Sequence, residues 1–103
     1  MAKKYELHIF PLAQSDLEQI FDYISVELRN PSAAIAQIDD FEKAFENVCV
    51  FPNSCPFVCN EYVKDKTLRK LVVNNYIAFY RVKENTIQVI RVLYGMRNFE
   101  EIL

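Results

Sequence analysis

The chain has 103 residues, 51% of them hydrophobic and 25% charged, with a net charge of −2. That length argues for one domain spanning residues 1–103, and the composition is ordinary for a globular chain. No run approaches the roughly 18 apolar residues of a membrane span, and the opening MAKKYELHIF lacks the apolar stretch of a secretory signal, so a cytoplasmic protein with no membrane contact is expected.

Residues 5–10, YELHIF, alternate Tyr5, Leu7 and Ile9 with Glu6, His8 and Phe10. This predicts a short strand with one buried face, stopped by Pro11. From Ser15 the period becomes helical: Leu17, Ile20, Phe21, Ile24 and Leu28 form one apolar stripe. Ser15 and Glu18 have the spacing of a capping box. The opposite side, Asp16, Glu18, Asp22 and Glu27, reads as a solvated acidic face. In the joint RNP, Asn30 caps a second helix and Pro31 opens it. That helix runs from about residue 31 to 50, with Ala34, Ile38, Phe41, Phe45 and Val48 on its apolar face. Two helices with so short a joint form an antiparallel αα-hairpin. Asp39, Asp40, Glu42 and Glu46 read as its charged outer face rather than as a metal site.

Residues 51–67, with two prolines and two asparagines, have no clean period and read as a loop. Its cysteines, Cys55 and Cys59, and Cys49 before it read as free thiols. CPFVC lacks the C-x-x-C spacing, and His8 is the sole histidine, so no metal or other cofactor is expected. Three strands follow: TLRKLVV (67–73), YIAFYRV (76–82) and TIQVIRVLY (86–94). Asn74-Asn75 and the residues 83–85 join them tightly, which makes an antiparallel meander. The order β-α-α-β-β-β predicts an α+β fold. Its four-stranded antiparallel sheet is covered on one face by the αα-hairpin, and the other face is left open.

Charge divides along the chain. Residues 1–63 hold four Lys/Arg against ten Asp/Glu, a net of −6, while residues 64–103 hold eight against four, a net of +4. Strict alternation places Arg69, Leu71 and Val73 on one face of the first meander strand. In the last strand it sets Ile87, Val89, Arg91 and Leu93 against Gln88, Ile90, Val92 and Tyr94. Arginine holds phosphate and stabilises charge growing on it, and tyrosine stacks on a base or passes a proton. Such a set fits RNA cleavage or plain protein binding. With one histidine and no G-x-S-x-G there is no basis for a serine triad.

The order of these elements resembles the RelE/ParE toxins of bacterial type II toxin–antitoxin systems. The resemblance is carried by LRNPSAAI, FPNSCPFV, LRKLVVNNYIAFYRV and the tail IRVLYGMRNFEEIL. It implies a cognate antitoxin that wraps the toxin and alone contacts operator DNA, so that this chain meets that DNA only indirectly. It also implies one of two targets, DNA gyrase or the ribosome with its mRNA. In a ribosome-dependent mRNA endonuclease the matching catalytic residues are Arg69, Tyr94 and Arg97, with Gly95 turning the backbone so that Tyr94 and Arg97 face the open side. Ile77 stands where many relatives have arginine, and the overall balance is acidic; both favour a ParE-like gyrase inhibitor. An inactive antitoxin-binding module is the third reading. Lys70, Arg81, Ile90, Arg91 and Val92 are the candidate residues for holding target or antitoxin, with Ile90 and Val92 on the open face.

Overall fold

The joint between the first strand and the first helix sets the direction of the whole chain. The computed structural model describes residues 4–95. Strand β1 (Glu6–Ile9) is followed, after the single extended residue Phe10, by helix α1 (Pro11–Asp22). The helix starts four residues before the expected Ser15. Proline fits the first helical position because its φ is already helical and its missing N–H would be unpaired there anyway. No side chain caps this end, so the Ser15/Glu18 capping box does not form. Ser15 Oγ instead accepts from Gln19 Nε2 at 3.1 Å within the helix. A π-helical turn, Tyr23–Glu27, carries the helix on to Arg29, which closes it at φ 51°.

Asn30 then behaves as its sequence context predicts. Its side chain accepts from Ala33 N at 3.1 Å, and Pro31 opens helix α2 (Pro31–Val50). Ala34, Phe41, Phe45, Val48 and Cys49 are buried along α2; Ala13, Leu17 and Ile20 along α1; and Ile24 in the π turn. The meander follows as β2 (Arg69–Val73), β3 (Tyr76–Lys83) and β4 (Thr86–Tyr94). Asn74 takes the positive φ, 55°, at the first turn; at the second it falls on Glu84, φ 56°.

The sheet order is β1-β4-β3-β2, and it is mixed rather than wholly antiparallel. β2, β3 and β4 pair antiparallel as expected, but β1 lies parallel to β4, with Glu6 opposite Thr86 and Ile9 opposite Val89. The reason lies in the β1–α1 joint. With only Phe10 between them, α1 continues in the direction of β1. It passes the upper part of β4, where Asp16 meets Val92, and α2 returns to β1, where Tyr5 N donates to Cys49 O. One helical return and two hairpins then leave β4 running the same way as β1.

A β-bulge divides β4. Phe79 pairs with Arg91 but Tyr80 pairs with Val89, which leaves Ile90 as the extra residue. Beyond it the faces swap. Val92 is 2% exposed and joins Ile87 and Val89 in the helix-side core, so it is not on the opposite face as alternation implied. Leu93 turns the other way, toward Phe79.

The face away from the helices is not open either. Residues 58–68 fold back across it, and Val58, Val63 and Leu68 bury Phe79 and Leu93 in a second small core. Residues 56–58 also line the outer edge of β2: Val58 N donates to Leu68 O, and Lys70 N to Pro56 O.

The contact joining α1 to the sheet predicts a measurable stability effect. Asp16 accepts from Arg91 Nε at 2.8 Å, Arg91 Nη2 at 3.0 Å and Val92 N at 2.9 Å, with side chains only 10% and 20% exposed. Asp16→Ala strands a part-buried cation and a backbone donor. It is expected to cost about 2–3 kcal/mol, a fall of roughly 10–15 °C in Tm. Asp16→Asn, which keeps an acceptor for Val92, should lose about half as much; urea unfolding of both variants checks it.

Candidate functional site

The sheet arginines show first what the surface can do. Arg69 stands opposite Tyr80 and therefore shares the helix-covered face with Leu71 and Val73. Its Nη1 donates to Cys55 O at 2.6 Å, and its guanidinium lies 3.9 Å from the centre of the Phe57 ring. Arg81 Nη1 donates to Asp65 Oδ2 at 2.9 Å and its Nε to Gln88 Oε1 at 2.7 Å. Arg91 is held by Asp16. Each of these arginines ties a loop or helix to the sheet. Lys70 is exposed opposite Phe79, and Ile90 is half-buried against the second core.

Tyr94 is 47% exposed and meets Tyr76 edge-on at 5.9 Å. It pairs with Tyr76, at one end of β3, whereas Arg69 pairs with Tyr80 four residues along. Two strand spacings and four residues of rise separate the Arg69 and Tyr94 backbones by roughly 16 Å. The structure does not bring these two residues together. Arg97 lies outside the described residues. Gly95 takes no positive φ; its small size matters because a Cβ there would meet Asn75 O at 3.2 Å, beside the Gly95 N to Asn75 O bond.

Among the described residues, Tyr76 and Tyr80 are shifted away from ionising at neutral pH. Burial, then the nearby Tyr23 and Tyr94, push the Tyr76 phenol up; burial, then Cys55, do the same to Tyr80, whose hydroxyl donates to Pro52 O at 3.0 Å. Burial also raises the Cys49 thiol, with Lys4 opposing and Glu46 adding to it. Among the described residues no group of His, Cys, Asp and Glu is placed to hold a metal, and no helix is long and apolar enough to cross a membrane.

A concavity lies elsewhere. A groove of about 690 Å³ runs between α1, α2 and β1. Leu7, Ile9, Phe21 and Ile38 are its accessible apolar lining, above the buried Leu17, Phe41 and Phe45. Glu18, Asp22, Glu42 and Glu46 stand along its edges. Sequence reading took these carboxylates as solvated outer faces; each lies beside its helix's apolar stripe, the position that borders a cleft when the stripe is not fully covered. A second cavity of about 510 Å³, lined in part by Tyr23, Tyr76 and Tyr94, sits above the end of β4.

The family described as the ParE toxin of the type II toxin–antitoxin system parDE matches residues 7–99. The chain belongs to the ParE toxin family. Among solved structures this ParE-family chain is similar to one from the chromosomal ParDE toxin–antitoxin system of P. aeruginosa. The two share 25% identity and a TM-score of 0.72, over 88% of this chain and 96% of that one. It shares its fold with a chain of the RelBE2 toxin–antitoxin complex from Mycobacterium tuberculosis, at 18% identity and a TM-score of 0.63, over 89% of this chain and 99% of that one. No curated protein matches the sequence. The ParE-family chain is thus a toxin of a type II system, and its structural neighbours come from toxin–antitoxin complexes.

The loop that covers the second face has a pH-sensitive anchor. Burial raises the Asp65 pKa, but hydrogen bonds from Thr67 and the Arg81 guanidinium outweigh it and leave the carboxyl below its usual value. A depressed folded value means that this stabilisation is fully present above the unfolded pKa of about 3.9. It is lost as pH falls through the lower folded value. Asp65→Asn should therefore lower Tm at neutral pH and remove the part of the acid-limb slope below about pH 4; Tm measured from pH 2 to 7 checks it.

Proposed function

We propose that this chain arrests growth by binding DNA gyrase in the cytoplasm, is neutralised by a cognate antitoxin, and meets operator DNA only through that antitoxin. The match to the ParE toxin family over residues 7–99 carries the reading. The internal arrangement of the basic residues supports a binding rather than a cleaving toxin. A nuclease needs cationic groups free to neutralise a phosphate and a proton carrier within reach of it. Arg69 is instead committed to Cys55 O and Phe57, and Tyr94 lies at the far end of the sheet from it.

Induced expression is expected to stop growth, and co-expression of the adjoining reading frame's product to restore it. Purified toxin in excess should inhibit supercoiling by gyrase and leave mRNA on translating ribosomes uncut in toeprinting. Arg69→Ala should lower the melting temperature while leaving gyrase inhibition by the folded fraction in place. Unchanged supercoiling, together with cleavage that Arg69→Ala abolishes, would replace this reading with the endonuclease. Normal growth on induction would leave an inactive antitoxin-binding module.

A further inference from the structure

The cavity above the end of β4 is framed by three tyrosines. Tyr23 comes from the π turn, Tyr76 from β3 and Tyr94 from β4, and together they line a space of about 510 Å³. That volume falls within the range of small-molecule sites. Tyr76 and Tyr94 meet edge to face with ring centres 5.9 Å apart. Tyr23 is 53% exposed and Tyr94 47%, so both keep ring surface uncovered. The phenols stand close enough that Tyr23 and Tyr94 add to burial in pushing the Tyr76 phenol up. Among the described residues no lysine or arginine lines the cavity. Asp16 lines it, but its charge is met by Arg91. The cavity also borders the carbonyl end of the first helix, where Leu28, the cap of the π turn, is part of its wall. Such an end carries partial negative charge. Neither α1 nor the π turn has a basic residue in its last turn, and Arg29, just beyond, is exposed.

We propose that this cavity binds a guanidinium group, held among the rings of Tyr23, Tyr76 and Tyr94. Aromatic faces are electron-rich and attract a cation, more strongly where water is excluded. Three rings and a helix end supply negative potential here, and among the described lining residues no cation answers it. Guanidinium fits better than ammonium. It is planar, delocalised and weakly hydrated, so it stacks on rings and gives up its water at lower cost. Its N–H groups also find acceptors in the tyrosine hydroxyls and in the side-chain oxygens of Gln19 and Asn75, which line the same space. A neutral ring would fill the volume without using the negative potential. The inference is independent of the gyrase reading.

The test titrates the full chain with N-acetylarginine methylamide and with its citrulline twin, which has nearly the same shape and no charge. By calorimetry the arginine probe should bind about tenfold tighter than the twin. Tyr23→Leu and Tyr94→Leu remove a ring at exposed positions, and circular dichroism verifies their fold; each should erase most of that preference. Tyr23→Phe and Tyr94→Phe keep the ring and lose the hydroxyl, and they should retain it. Equal binding of the twins, no binding of the arginine probe, or a preference unmoved in both leucine variants overturns the proposal. Loss of the preference in the phenylalanine variants overturns it too, because the hydroxyls rather than the rings would then hold the ligand. A short peptide with arginine at its centre and alanine elsewhere separates the two sources of the group. If the free probe binds as tightly as the peptide, the cavity takes a small molecule. If the peptide binds tighter, the cavity takes the side chain of a protein partner. Both results support the guanidinium site.

Discussion

The fold depends on a carboxylate doing the work of a strand. β1 covers only Thr86 to Val89 of β4, and Phe10 N extends the pairing by one bond to Val89 O. Above that point, among the described residues, no strand lies beside the outer edge of β4. Asp16 fills the gap: one oxygen accepts from Val92 N, and both accept from Arg91. A backbone donor that would otherwise be stranded is paired, and an arginine set among apolar residues is neutralised. The Arg91 pKa rises accordingly, through the hydrogen bond to Asp16 first, its charge adding and burial opposing. Because Asp16 sits on α1, the same contact fixes that helix along the sheet edge. The position of α1 in turn decides how far it stands from α2, and so the width of the groove between them.

The bulge at Ile90 is the second constraint. Without it, alternation along β4 would send Val92 away from the helices and Leu93 toward them. With it, both faces of the sheet receive apolar residues where they have cover: Val92 under the helices, Leu93 under Val58, Val63 and Leu68. The loop segment is then tied down by charge rather than by regular structure. Arg69 grips Cys55 O, and Arg81 grips Asp65. This is why the sheet arginines, which look in sequence like a phosphate-binding set, are largely spent on structure.

Local signals were legible in the sequence and long-range ones were not. Asn30 before Pro31, the apolar stripe of α2 and the Asn74 turn are decided within a few residues, and each appears where the pattern places it. The start of α1 was misplaced because a capping box and a proline at the first helical position both mark helix starts, and here the proline wins. The parallel pairing of β1 depends on the direction of α1, which no residue type states. The bulge is a one-residue slip between strands, invisible to alternation along one of them. The cover over the second face comes from a segment with no periodicity at all. For the candidate site, Arg69, Arg81 and Arg91 could be named but not their partners, since Asp16 lies 75 residues from Arg91 in sequence.

The charge asymmetry of the chain acquires a spatial meaning in this fold. The acidic first part builds the helical hairpin, and its carboxylates concentrate along the lips of an apolar cleft. The basic second part builds the meander, where Arg81 and Arg91 are neutralised internally while Lys70 is left exposed. A toxin has two encounters to manage, one with its antitoxin and one with its target. Complementary fields steer different molecules to different surfaces and penalise the wrong pairing by like-charge contact. The result is an acidic cleft on the helical side and residual positive charge on the sheet side.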